Sequence, residues 1–355
     1  MQHAVLACHG ITGDVLDRLP VTAFTYDRLL SARGDGSATI PLASPWRDLD
    51  FRGLTRPWER MLALVRGGRV AYAGYITGRE YDFGSPLLHV QLGDLWALLE
   101  KRLAVDHSIN GVEKWQVTIT ASLATHANVA LIWARDSYTG TPSAMFPVTI
   151  PGHADAPAVT RTYYGYHLQT VADMFAELVA EGLEIYLEPR LSEQGKVYWY
   201  VRAGIGWTSG LSRDIYVSTP TSPVTALKWR EDAARVTNNA IRVGEGSEQD
   251  MLTRSNVNPS SPLPLLERVT ASKTVADSVQ LQALTLQDLK TFGSPTEQWD
   301  VTVTADTQID IGDTARMHVD RDWWIPSGWH SRQAVRISGD LSEQMRVAFQ
   351  PTGGA

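Results

Sequence analysis

Apolar and polar positions alternate over much of the first hundred residues, a period of two that predicts β-strands. Val21-Thr-Ala-Phe-Thr-Tyr alternates or nearly so, Gly34-Asp-Gly interrupts, and Ser37-Ala-Thr-Ile-Pro-Leu resumes an extended pattern, as in a hairpin. Trp58-Glu-Arg-Met-Leu-Ala-Leu-Val reads as a further strand, stopped at Gly67-Gly68, a two-glycine hairpin signal, and continued by Arg69-Val-Ala-Tyr-Ala-Gly-Tyr-Ile-Thr. Leu87-Leu-His-Val-Gln-Leu adds one more strand. Asp94 then caps a short helix that puts Leu95, Leu98, Leu99 and Leu103 on one face. Residues 1–104 are expected to form a compact β-barrel closed by a helix.

The pattern changes over 105–220. Residues 119–134 are alanine-rich and read as helical, although Thr and Asn weaken helix propensity there. The stretch 139–160 is punctuated by Gly140, Pro142, Pro147, Pro151, Gly152 and Pro157 and reads as a loop. Thr170-Val-Ala-Asp173 has the form of a capping box. Val171, Met174, Phe175, Leu178 and Val179 make an apolar stripe behind it, and Gly182 ends the helix. Leu183-Glu-Ile-Tyr-Leu-Glu-Pro and Lys196-Val-Tyr-Trp-Tyr-Val-Arg pair as a hairpin around Ser192-Glu-Gln-Gly195. The sum is a small α+β unit.

From 221 to 355 the strand pattern returns. Val224-Thr-Ala-Leu-Lys-Trp-Arg and Asn239-Ala-Ile-Arg-Val-Gly are strand-like, and Ser255 to Pro264 reads as a polar loop. Thr274-Val-Ala-Asp277 opens a second capped helix that runs to about Phe292, before Gly293 and Pro295. Gln298-Trp-Asp-Val-Thr-Val-Thr, Thr314-Ala-Arg-Met-His-Val and the segment from Arg332 to Phe349 supply the last strands. The fold class is therefore mainly β (α+β). Its predicted organisation is a first barrel at 1–104, an α+β middle domain at 105–220 and a second barrel at 221–355.

Composition narrows the function. With 355 residues, 43% of them hydrophobic, and a net charge of −7, the chain is globular and long enough for two or three domains. Its one cysteine, Cys8, excludes an internal disulfide framework and CxxC-type metal or redox sites. Lys+Arg against Asp+Glu stand at 12 to 11 in residues 1–104, 7 to 11 in 105–220 and 13 to 17 in 221–355. No segment is basic enough for a phosphate backbone, which excludes direct nucleic-acid recognition. Only six of the 32 basic residues are lysine, a bias that fits either arginine-rich interfaces or a GC-rich genome. The N-terminus does not read as a signal peptide, and no apolar run is long enough to span a membrane.

Catalytic patterns are absent. The nine histidines form no HExxH and no Cys/His zinc spacing. His3 and His9 beside Cys8 read as an ordinary terminus, and His153 with Asp155 lacks a third ligand nearby. Asp306, Asp310, Asp313, Asp320 and Asp322 lack the spacing of a calcium loop and read as turn and strand-end residues. There is no GxSxG elbow and no phosphate loop, and Gly204-Ile-Gly206 is not followed by a helix pattern. Cys8 reads as a small buried hydrophobe. No catalytic, cofactor-binding or metal residues are assigned. The unusual local feature is Trp323-Trp324 followed by Pro326-Ser-Gly-Trp329, which reads as an exposed ligand or protein anchor, or as a hairpin tip packed on its own domain.

The order of these features resembles that of the hub (tail-tip, or Tal-like) proteins of long-tailed bacteriophages, and in particular a Gp37-like group of minor tail proteins. Four places carry the resemblance. They are Phe24-Thr-Tyr-Asp-Arg-Leu-Leu with Gly36-Ser-Ala-Thr-Ile-Pro-Leu; Arg66-Gly-Gly-Arg-Val-Ala-Tyr-Ala-Gly-Tyr-Ile-Thr; Leu92-Gly-Asp-Leu-Trp-Ala-Leu-Leu-Glu-Lys-Arg; and a C-terminal set. That set joins Leu265-Leu-Glu-Arg-Val, the helix from Ala276 to Phe292, and Ile311-Gly-Asp-Thr-Ala-Arg-Met.

The resemblance implies a structural, non-enzymatic virion protein at the tail tip, assembled in the host cytoplasm. It implies a homotrimer whose two barrels per subunit make a pseudo-sixfold ring, extending or closing the tail tube. The implied partners are a distal tail protein ring, the tape measure protein, and other minor tail or receptor-binding proteins. The chain stops soon after its last strand, so no fibre-like extension is expected. Two alternatives stay open: a carbohydrate-binding or glycan-active protein using Trp323, Trp324 and Trp329, and a distal tail ring protein of the same particle. On the hub reading Trp58, Trp96, Trp229 and Trp299 belong to the core, while Trp323, Trp324 and Trp329 are candidate interface residues.

Overall fold

The structure, a computed structural model, describes residues 3–42, 48–107, 111–138, 140–152, 158–206, 211–272 and 275–352. The chain divides into two compact units: Met1–Ala226 with Thr302–Val347, and Leu227–Val301 with Ala348–Ala355.

The first unit begins with β1 (His3–His9), β2 (Val15–Leu19), β3 (Ala23–Leu29), β4 (Asp35–Pro41), the single-turn α1 (Phe51–Leu54), β5 (Arg60–Arg66), β6 (Arg69–Asp82), β7 (Leu87–Gly93) and α2 (Leu95–Leu99). The β5–β6 hairpin turns at Gly67-Gly68 with φ of +51° and +79°. A Cβ on Gly68 would meet nothing, so glycine serves there for its left-handed backbone rather than for space. Asp94 caps α2 by accepting from the Trp96 amide.

The chain continues with β8 (Gln116–Ala121), α3 (Leu123–Asp136), β9 (Val148–Thr149), β10 (Val159–Tyr164), α4 (Val171–Ala180), β11 (Leu183–Leu191), β12 (Val197–Ile205) and β13 (Ser212–Tyr216). The alanine-rich stretch is therefore half strand and half helix. Ser122 sits in extended backbone and accepts from the Thr125 amide, so the helix starts only after it. The capping box of α4 forms as read, with Thr170 and Asp173 bonding each other's backbone amides.

β14 (Val224–Asp232) carries the chain into the second unit, which holds β15 (Asn239–Val243), β16 (Thr253–Val257), β17 (Glu267–Ala271) and α5 (Ser278–Phe292). β18 (Thr296–Thr304) returns to the first unit, where β19 (Thr314–Val319), β20 (Gly328–Gly339) and most of the approach to β21 (Gln344–Pro351) lie. β16 extends three residues, Ser255 to Val257, into the expected polar loop. Asp277 caps α5 by accepting from the Val279 amide; Thr274 lies outside the described residues.

In the first unit the strand order is β20-β3-β4-β7-β6-β5-β1-β2, with β19 beside β20 and β13 parallel to β19. β20 meets β3 at Arg336↔Leu29 to Gly339↔Tyr26, which joins the last segment of the sequence to the first in one sheet. Here the structure departs from the expected barrels: among the described residues no sheet closes on itself. Closure needs the end strand to find a partner. Among the described residues β2 pairs only with β1, and it carries four exposed residues in five. The second unit is built on a three-stranded sheet, β16-β15-β17, with α5 packed on it. No described helix is long and apolar enough to cross a membrane.

One apolar cluster of the first unit runs from Cys8, Met61 and Tyr75 to Leu131, Phe175 and Trp199. Tyr75 stacks on Trp199 at 5.5 Å and Trp96 meets Phe175 edge-on at 5.3 Å. Of the four tryptophans expected in the core, Trp96 and Trp299 are buried. Trp58 and Trp229 are only half-buried. Trp58 precedes β5 in a turn, and the Trp229 indole N–H donates to Glu297 at 3.0 Å, which keeps its edge near the surface. Trp115 and Trp199, not singled out from the sequence, are buried.

Candidate functional site

The tryptophan motif lies at the β19–β20 hairpin, and the structure separates it into two parts. Trp323 and Trp324 stand in the hairpin loop, 103% and 71% exposed, while Trp329 lies in β20 at 44%. The loop is shaped by Asp322, whose Oδ1 accepts from the Trp324 amide at 2.8 Å and the Ile325 amide at 2.7 Å. Those bonds, from Ile325 and then Trp324, hold the Asp322 carboxyl below the usual carboxylate range. Ile325 is buried and anchors the loop from beneath. The Arg321 amide donates to Ser327 Oγ at 3.3 Å, and His330 Nε2 lies 2.8 Å from the Pro326 carbonyl. The loop therefore has a defined shape while presenting two indoles to solvent.

Trp329 belongs to a cross-strand row. Register pairs Tyr216 with His318 and His318 with Trp329, so three rings from β13, β19 and β20 share one face. Their centroids are 5.6 Å apart for Tyr216–His318, 5.0 Å for His318–Trp329 and 5.1 Å for Tyr216–Trp329. Two residues along, Arg316 bonds Asp214 through both carboxylate oxygens at 2.7 and 2.5 Å, and its guanidinium carbon lies 5.3 Å from the Trp329 ring centroid. Arg316 holds the Asp214 carboxyl low, and Asp214 raises the Arg316 guanidinium in turn. The alternation of β19, with Ala315, Met317 and Val319 inward, forces Arg316 and His318 outward. Burying a side chain of indole size is worth about 3 kcal/mol. A face with this many uncovered rings is suited to contact with another surface.

Sequence spacing found the three tryptophans but not Tyr216 or His318, because a row across strands is made by register, not by neighbours in the chain.

The other candidates fall to structural roles. Cys8 is fully buried in β1, and burial pushes its thiol up to about 12, which removes it as a nucleophile at neutral pH. Of the acidic run, Asp310 accepts from the buried Arg28 at 3.0 Å, and Asp313 accepts from the Asp310 amide at 2.9 Å beside Gly312. His126 is buried, with Nδ1 2.8 Å from the Tyr163 hydroxyl and Nε2 3.0 Å from the Val159 carbonyl, and burial lowers its basicity. His153 and Asp155 lie outside the described residues. Among the described residues no group of three or more His, Cys, Asp or Glu is arranged to hold a metal.

No family model matches the sequence, and no curated protein matches it either. Solved structures do. A tail protein from Neisseria meningitidis aligns over 100% of this chain and 98% of its own at 15% identity and a TM-score of 0.59. The 43 kDa tail protein of a Shewanella oneidensis prophage aligns over 98% of both chains at 11% identity and 0.59. A prophage tail protein from Listeria monocytogenes aligns over 98% and 94% at 8% identity and 0.54. At these identities the likeness is one of fold.

Proposed function

We propose that the chain is a structural component of a phage-type tail tip, the hub at the distal end of the tail tube. The observation that carries this reading is the fold likeness to the Neisseria and Shewanella tail proteins along essentially the whole of both chains. On this reading three copies form a pseudo-sixfold ring that extends or closes the tube, with residues 105–220 as the lateral part of each subunit. The ring meets a distal tail protein on one side and the tape measure protein within. It anchors further tail-tip or receptor-binding proteins. Trp323, Trp324 and Trp329 lie at the contact with a neighbouring subunit or tail-tip protein. Ring subunits need large self-complementary or head-to-tail interfaces, and an uncovered aromatic face suits that need.

The mass of the purified assembly tests this. Three copies support the hub, and six assign the chain to the distal tail ring instead. A monomer that binds glycans through Trp324, with binding lost in Trp324→Ala, transfers it to the carbohydrate-binding class. Electron microscopy of antibody-labelled particles gives the second reading: label at the tail tip is expected, and label on the capsid overturns the proposal.

A further inference from the structure

A cleft of about 410 Å³ opens beside the end of β1. The chain is acidic overall, at −7, yet this cleft gathers Arg60, Lys101, Arg102 and His9 against the single carboxylate of Glu59. Its walls come from distant parts of the sequence. Gly10 follows β1, and its amide donates to the Glu59 carbonyl at 2.9 Å while the Tyr75 hydroxyl donates to the Gly10 carbonyl at 2.8 Å. A Cβ on Gly10 would stand 3.0 Å from the carbonyl oxygens of both Trp58 and Glu59, so this close approach favours glycine. Trp58 adopts φ +61°, a left-handed backbone that is costly for a bulky aromatic residue. It is pinned there by donation from its amide to the Ile76 carbonyl at 2.8 Å.

The cations of the cleft are poorly compensated. Among the described residues neither Lys101 nor Arg102 forms an ion pair with a carboxylate, and Glu59 is nearer Arg56, at 3.4 Å, than Arg60, at 3.9 Å. Arg102 is half-buried, donates to the Ala134 carbonyl and lies 5.1 Å from the Tyr138 ring centroid. A partly desolvated guanidinium without a counter-charge destabilises the free protein, and an arriving anion relieves that cost.

We propose that this cleft binds an acidic segment of a partner protein. Its carboxylates are held by Arg60, Lys101 and Arg102, and an adjoining apolar side chain rests on Ile11 and Leu98. A phosphate ligand fits less well. Phosphate sites commonly use backbone N–H groups at a helix N-terminus, whereas the helix bordering this cleft, α2, presents its C-terminal turn through Leu98, with Lys101 two residues past its end. Stacking of a sugar ring also fits less well, because the Trp58 ring already packs on Tyr75 at 6.1 Å and under the Lys101 ammonium at 5.6 Å. The proposal needs only the cleft and stands apart from the tail-tip reading.

Fluorescence anisotropy of fluorescein-labelled hexaglutamate with the full chain tests it. Binding is expected at low salt and weakens as salt screens the charges. Lys101 is exposed, so Lys101→Glu leaves the fold intact by circular dichroism, and it is expected to weaken binding by roughly tenfold or more as like charges meet. Lys290→Glu makes the same charge change on α5 and is expected to leave binding within about twofold. Absence of hexaglutamate binding, or equal effects of the two substitutions, overturns the proposal. Displacement of the peptide by inorganic phosphate at matched charge overturns the assignment to a protein carboxylate.

Discussion

In the first unit, Tyr75, Trp199, Trp96 and Phe175 interlock within one continuous apolar cluster. In the second, the sheet β16-β15-β17 with α5 and the loops beside them buries Ala240 and Leu281 together with Thr237, Asn238, Thr285 and Asp288. Asn238 donates to the Pro264 carbonyl at 2.9 Å and accepts from the Leu266 amide at 2.7 Å, which clamps the loop after β16. Arg242 meets Asp288 through two bonds of 2.6 and 2.7 Å. Phe292 lies near two guanidiniums, those of Arg268 at 4.0 Å and Arg235 at 4.6 Å. Val257, Val269, Val279 and Leu286 of the same unit are exposed. A three-stranded sheet with one helix has too little apolar area to fill a core, so directional polar bonds set its geometry instead. The first unit is therefore expected to tolerate loss of a hydrogen bond, and the second to depend on keeping its polar groups paired.

The largest test of that contrast is Trp199→Ala. Removing a fully buried indole from the stacked cluster is expected to cost about 3–5 kcal/mol in denaturant unfolding. A cost near 1 kcal/mol would show that the first unit is not held by its apolar packing. In the second unit Asp288→Ala leaves the half-buried Arg242 without its partner and is expected to cost about 3 kcal/mol. Joint replacement, Arg242→Met with Asp288→Leu, should recover most of the loss, since matched apolar groups often equal a buried ion pair. Failure of the double variant to recover would mean the pair positions β15 against α5 in a way apolar packing cannot.

The pH dependence of the first unit gives a third test. Burial raises the Asp94 carboxyl to about 7 despite the amides of Gly34 and Trp96 that bond it. Because its folded pKa exceeds its unfolded value near 3.8, the folded state holds the proton more tightly. Its contribution to stability is full at acid pH and is lost as pH rises from about 4 to about 7. Asp94→Asn, which retains an acceptor for the cap, should flatten that slope in unfolding midpoints across the range. An unchanged slope would assign it to another group.

Smaller still, Thr170→Ala removes one arm of the α4 capping box and is expected to cost about 1 kcal/mol by the same measurement. Smallest of all on stability is Trp323→Ala, expected within about 0.5 kcal/mol of the parent because the ring is fully exposed. The same variant should lower the mass of the assembly if the loop lies at a subunit contact. A large stability loss would place the ring inside its own domain.

How much was legible in the sequence depends on the distance over which each feature is decided. The Gly67-Gly68 hairpin, the Asp94 cap and the Thr170–Asp173 box involve residues within a turn of one another and were readable. Trp323 and Trp324 were readable as an oddity because they stand beside each other. The row Tyr216–His318–Trp329 was not, since its members are brought together only by strand register. Nor was the cleft, which collects His9, Trp58 and Lys101 from three separate segments.

Left to itself, the sequence determined the mainly-β character, the Gly67-Gly68 hairpin and the capped starts of α2 and α4, because period, glycine handedness and side-chain capping act over a few residues. Only the tertiary structure decided that, among the described residues, the strand pairing leaves no sheet closed as a barrel, and that β20 lies beside β3, with Arg336 bonding Asp27 across the junction at 2.7 Å. It also decided which tryptophans are buried. Pairing between strands some three hundred residues apart rests on the burial of whole faces at once, and no local pattern carries that information.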